Sequence, residues 1–146
     1  MKRTVLLLAC VIAIVFLNAQ TLVNDEYTGA LEVIPSVDAT CKSTTSGTTI
    51  GATQSMPGCF GSAEDDIWFK FTATSNRHRI VVTGDIINHV LELFNLSAGN
   101  LTSIACRYLT NPSSYGGLTA EFNTLIPGTT YYYRVYGSGN NSQRSD

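Results

Sequence analysis

One stretch, DDIWFKFTA from Asp65 to Ala73, constrains the fold of this chain more than any other. Its alternation sends Ile67, Phe69 and Phe71 to one side of an extended strand and Trp68, Lys70 and Thr72 to the other. That is the period-two pattern of a strand with one buried face. The only tryptophan of the chain lies in it, followed by Phe69 and Phe71. At roughly 25 cal/mol per Å² of buried apolar area, such a strand belongs at the centre of a sheet.

Other segments repeat the pattern on both sides. Ala30–Ile34 alternates weakly and stops at Pro35, as an edge strand does, because proline cannot donate to a ladder. Thr48–Thr53, Arg79–Thr83, Val90–Phe94, Leu101–Arg107, Leu118–Phe122 and Thr130–Tyr136 are further strands, each bounded by glycine, proline or asparagine. The connections are too short and polar for helical crossovers. The expected fold is therefore all-β: an antiparallel β-sandwich, jelly-roll-like. In Leu125–Tyr131 (LIPGTTY), Pro127 and Gly128 preset a turn and Tyr131 can return its hydroxyl to the turn backbone, a tyrosine corner. Past it, Tyr132, Arg134 and Tyr136 oppose Tyr131, Tyr133 and Val135, and one of the two rows is expected to face solvent.

The first residues follow a different rule. A basic head, Met1-Lys2-Arg3, precedes the apolar run Thr4–Leu17 and the small residue Ala19, which is the build of a secretory signal peptide cleaved between Ala19 and Gln20. A membrane span needs roughly 20 apolar residues, and this run is shorter. Leu8-Ala9-Cys10 has a lipobox flavour, but the apolar core continues to Leu17, so Cys10 is expected to leave with the leader. The domain plan is a leader at 1–19, a β-sandwich module at 20–137 and a polar ending at 138–146.

Cleavage takes Lys2 and Arg3 away and moves the net charge from −2 to −4. A mildly acidic module with no basic stripe excludes nucleic acid as a partner. Localisation follows from the leader: secreted or cell surface. In that oxidising compartment Cys41 and Cys59 are the expected disulfide, closing the loop and strand between them, and Cys106 is left over. No CxxC or HxxxH spacing supports zinc.

Catalytic motifs are missing: there is no GxSxG, HExxH or phosphate-cradling loop, so no enzyme is expected. His78, in Asn76-Arg77-His78-Arg79, and His89 read as solvated loop histidines. Asp65 and Asp66 point to opposite faces of a strand, which rules out a glycosidase pair. Their better use is calcium, for which Asn24, Asp25 and Glu26 together with Glu64, Asp65 and Asp66 offer two oxygen-rich clusters. Exposed tyrosines, Tyr132 and Tyr136 first, with Tyr108 and Tyr115, are the candidate contacts for a glycan or an extracellular protein. Sequons stand at Asn95, Asn100 and Asn140.

Taken together, GTTIGATQS (Gly47–Ser55), Cys59, DDIWFKFTATS (Asp65–Ser75), VLELFN (Val90–Asn95), LTSIAC (Leu101–Cys106) and LIPGTTYYYRVYG (Leu125–Gly137) resemble bacterial secreted β-sandwich modules. These are related to the pre-peptidase C-terminal domain and occur in Bacteroidetes surface proteins. The resemblance runs from Asn24 to Tyr136 and implies a non-catalytic accessory or adhesion module of a larger exported protein, with calcium as an available ligand. A module accompanying an exported peptidase or glycosidase, and a carbohydrate-binding module, are the alternatives. Several positions depart from the pattern. Tyr27 stands where such modules place a cysteine. Leu96–Asn100 lacks another, which would leave Cys106 free. Asn88-His89 replaces an aspartate, and a last strand after Tyr136 is not found, so the sandwich is expected to lack it and further domains to follow.

Overall fold

The computed structural model describes residues 22–38, 40–41, 43–86, 88–109 and 117–139. The leader expected at 1–19, Cys10, Tyr115, the sequon at Asn140 and residues 140–146 of the polar ending lie outside the described residues. Seven strands are found among those described: β1 (Leu31–Glu32), β2 (Ile67–Thr72), β3 (His78–Val82), β4 (His89–Ser97), β5 (Asn100–Tyr108), β6 (Leu118–Phe122) and β7 (Thr130–Gly137). They form a five-stranded sheet, β1-β2-β7-β4-β5, and a two-stranded sheet, β3-β6. The protein is an all-β sandwich.

The aromatic strand sits inside the larger sheet, as its alternation predicts. Its Ile67, Phe69 and Phe71 meet Leu91 and Leu93 of β4, Tyr131, Tyr133 and Val135 of β7, and Leu118, Ala120 and Phe122 of β6 in one buried core between the sheets. Phe69 stacks on Tyr133 at 5.2 Å between ring centroids. The tyrosine corner forms: the Tyr131 hydroxyl accepts the Ile126 N–H at 3.0 Å, and Gly128 takes φ 83°. That turn needs a residue free of a Cβ penalty.

Three sequence expectations change. The sheet is not wholly antiparallel, because β1 runs parallel to β2, with Leu31 beside Phe69 and Glu32 beside Lys70. The first edge strand covers only Leu31–Glu32, extended by one bond from Val33 N–H to the Lys70 carbonyl at 2.8 Å. Thr48–Thr53 is no strand: it bends at Gly51, with φ 83° and an Ala52 N–H to Thr49 carbonyl bond of 3.1 Å. At the far edge the β4–β5 register shifts between Leu93 and Phe94, which pair with Ala105 and Ser103. Ile104 is the extra residue. Such a bulge twists an edge strand away from further pairing.

The largest surprise is that both faces of the big sheet are buried. Trp68, Arg134 and Tyr136, whose row was a candidate for the solvent face, are 0% exposed. The irregular segment from Ser55 through Ala63 lies over them, its buried Ala63 packed with Tyr136 and Val90 and its Met56 with Trp68 and Phe94, whereas Ala52 before it belongs to the inner core. Alternation reports which side chains share a face; it cannot report that a loop covers the second face.

This covering also corrects the disulfide. Cys59 bonds Cys106 of β5, with Cα atoms 6.2 Å apart, and Cys41 is free and exposed. Cys59 lies over the outer face of the sheet, whereas the exposed Cys41 lines the cleft on the inner side, so the sheet separates the expected pair. Cys106, expected to be unpaired, is the true partner.

Candidate functional site

The outer face of the five-stranded sheet carries a polar centre built on one transverse row. Register places Trp68 of β2, Arg134 of β7, Glu92 of β4 and Cys106 of β5 side by side across four strands. Each strand supplies its member through the same alternation that fills the core on the other face. A buried guanidinium has five N–H donors to satisfy. Here Nε and Nη2 reach Glu92 Oε2 at 3.0 and 2.7 Å, Nη1 reaches Asp66 Oδ2 at 2.8 Å, and the two remaining bonds go to the carbonyls of Met56 (2.8 Å) and Pro57 (2.6 Å).

The carboxylates are held in turn. Asp66 accepts the Ser55 N–H at 3.0 Å and the Ser55 hydroxyl, which itself accepts the Trp68 indole N–H at 3.0 Å. Trp68, Phe94 and Tyr136 surround the guanidinium with ring centroids 5.7, 5.6 and 5.2 Å from its central carbon. Burial is the leading cause that raises the Tyr136 hydroxyl above the usual phenol range. That hydroxyl accepts the Phe60 N–H and donates to the Phe60 carbonyl at 3.1 Å, beside the disulfide. The centre therefore anchors the covering segment at Ser55, Met56, Pro57 and Phe60. Its donors and acceptors are turned on one another.

This accounts for most residues singled out in the sequence. Asp66 is an ion-pair partner of Arg134, fully buried. Asn24 is buried and donates its side-chain amide to the Trp68 carbonyl at 3.3 Å, while Asp25 binds Thr53 through its N–H (2.6 Å) and hydroxyl (2.8 Å). Glu26 and Glu64 are exposed and Asp65 is half-buried. Among the described residues no three His, Cys, Asp or Glu side chains gather as metal ligands, in either of the two acidic clusters or elsewhere. Tyr136 is inside the polar centre and unavailable to a ligand. Tyr132 is half-buried against Tyr27, edge to face at 6.0 Å. Glu92 and Arg134 escaped attention as a pair, although a lone acid in VLELF and a lone base in YYYRVY were the available signal.

The histidines also differ from expectation. His78 is on β3, half-buried, and its Nε2 accepts the N–H groups of Thr74 (3.1 Å) and Ser75 (3.3 Å). His89 opens β4 on the face of Leu91 and Leu93 and is fully buried. Neither of its ring nitrogens finds a hydrogen-bond partner among the described residues. Burial pulls both imidazoles below their ordinary value of 6.5. A group harder to protonate when folded leaves stability intact above the unfolded value and erodes it as pH falls below about 6.5. Urea midpoints measured from pH 8 to pH 5 should therefore drop on the acid side, and His89→Phe should flatten that drop. An unchanged acid slope in the variant would assign the loss to other groups.

Two surfaces lie beyond the polar centre. On the outer side Phe60 and Tyr108, both exposed, stack at 3.8 Å with planes 3° apart, Phe60 directly following the disulfide's Cys59. On the inner side residues 33–38 and 43–47 join the two-stranded sheet in lining the five-stranded one, whose inner residues stay buried. A cleft of about 1230 Å³ opens there, floored by Ile67, Phe69, Phe71, Tyr133 and Val135 and walled by β3.

Comparison with known proteins decides nothing further. No family model, no curated protein and no solved structure matches the chain. The site must therefore be read from its own geometry. Among the described residues no helix is long and apolar enough to cross a membrane.

Proposed function

We propose that this protein is a non-catalytic β-sandwich module, secreted or displayed on a bacterial cell surface, that serves as an accessory or adhesion domain within a larger exported protein of the pre-peptidase C-terminal-like kind. The observation that carries the reading is the Cys59–Cys106 disulfide, which fastens the covering segment to the edge strand. Disulfides of this structural kind form in oxidising compartments, and the chain opens with a leader-like Met1–Ala19. The polar centre adds support, since its buried charges are bonded to one another and to backbone carbonyls.

The test is export. Expressed with its first 19 residues in a bacterial host, the chain is expected outside the cytoplasm, starting at Gln20, with Cys59 and Cys106 linked and one thiol, Cys41, open to alkylation. Cytoplasmic retention of an unprocessed chain would end this reading. Glycan binding is a second reading favoured by one observation, the exposed Phe60–Tyr108 stack. It moves the candidate contacts from Tyr132 and Tyr136 to rings that solvent reaches.

A further inference from the structure

One ring nitrogen holds the turn that joins β2 to β3. Nε2 of His78 accepts the N–H of Thr74 at 3.1 Å and that of Ser75 at 3.3 Å. Ser75 closes the turn from the other side, its hydroxyl donating to the Arg77 carbonyl at 2.6 Å and accepting the Arg77 N–H at 3.2 Å. The same turn is knit to the tyrosine corner: the Leu125 N–H reaches the Asn76 carbonyl at 3.1 Å, and the Gly128 N–H reaches the Ala73 carbonyl at 2.7 Å. His78 therefore pins two loops at one end of the sandwich, with its ring 5.2 Å from that of Phe71.

An imidazole nitrogen that accepts N–H groups carries a lone pair, so the ring is neutral and its proton sits on Nδ1. Protonation puts a third N–H where two donors already point, and both bonds to the turn are lost. The surroundings give the resulting cation no partner. Arg77 and Arg79 flank it on its own element, and Tyr131 and Tyr133 of β7 meet the same Phe71. Glu121 of β6 stands opposite Arg79, while Asp38 and Cys41 line the cleft that His78 also lines. Among the described residues no carboxylate lies within ion-pair distance of His78. Burial holds the imidazole below its ordinary value, against a smaller opposing pull from the Ser75 backbone.

We propose that His78 is an acid-released latch: neutral, it closes the β2–β3 turn against the tyrosine corner, and protonated, it frees both loops while the two sheets stay folded. A ring that bonds only when neutral stabilises the closed turn above the unfolded value of about 6.5 and loses that contribution as pH falls. Each pH unit below about 6.5 favours the open turn by up to about tenfold. Opening is local because few bonds break. Thr74, Ser75, Arg77 and His78 line the inner cleft, so the latch also sets the width of its end.

The experiment uses the mature chain labelled with nitrogen-15. At pH 8 the ring shifts are expected to report the Nδ1–H tautomer. Between pH 8 and pH 5 the exchange protection of the Thr74, Ser75, Leu125 and Gly128 amides, corrected for intrinsic rates, is expected to fall about tenfold and to stay well below that of Leu91, Leu93 and Val135 throughout. His78→Gln, whose side-chain carbonyl accepts and does not titrate, should hold the four amides at their pH 8 protection, and His78→Ala should leave them open at both ends of the range. An Nε2–H tautomer at pH 8, an acid loss that survives in His78→Gln, or equal protection of latch and core amides at pH 5 would each overturn the proposal.

Discussion

Arg134→Ala is expected to remove about 3–5 kcal/mol of folding stability, because it leaves Asp66 and Glu92 buried without their counter-charge. For a domain of this size that lowers the melting temperature by on the order of 15–25 °C, enough to leave little folded protein at 37 °C. The guanidinium has 0% side-chain exposure, as has Asp66, so water cannot step in for the lost partner. Removing the whole set behaves differently. Arg134→Met combined with Asp66→Asn and Glu92→Gln should cost much less than the sum of the single changes, since no charge is stranded. Urea unfolding of the single and combined variants reads this directly. Additive losses would mean that the three residues do not act as one unit.

Opening the disulfide is the second large effect. It joins residues 47 apart in the chain, and the loop-entropy estimate for that span is about 4 kcal/mol. Cys59→Ser and Cys106→Ser should each lower the melting temperature by about 20 °C, and reductant should do the same to the native chain. Cys41→Ser should change nothing, because that thiol is exposed and unbridged. A melt insensitive to reductant would place the covering segment's anchorage wholly in the Arg134 centre. If both anchors share the task, the loss of either should first expose Trp68, so its fluorescence would shift to the red before the far-ultraviolet signal of the sheet is lost.

How much of this could be read from the sequence depends on what kind of interaction is at stake. The aromatic strand, β6 and the Tyr131 corner declare themselves through local rules: alternation, turn residues and a tyrosine at a fixed offset. β2 and β6 fall inside or on the expected spans, and β4 runs on beyond Phe94 to Ser97. What sequence alone missed is set by contacts between distant segments. Nothing near Ser55 says that it will bond Asp66 and Trp68, and nothing near Cys59 says that it will lie over β5. Tyr136 looked like a ligand contact because its neighbours alternate well; burial came from Ala63 and Gly58, more than 70 positions away. The acidic residues misled for the same reason. Asp66 was counted as an oxygen donor for a metal cation, whereas the fold gives it the guanidinium of Arg134.

The parallel pairing of β1 with β2 has a mechanical meaning. Leu31 lies beside Phe69, which faces Tyr133, so the start of β1 is level with the middle of β7, four residues short of its end at Gly137. Tension applied between Leu31 and Gly137 is resisted first by the two rungs that join β1 to β2, the shortest ladder of the sheet. The crosslink from Cys59 to Cys106 then sets how far the pull can travel, because the residues between them cannot be drawn out while it holds. Under load the protein yields early at its margins and stops at a covalent limit, like a spring with a fixed stroke.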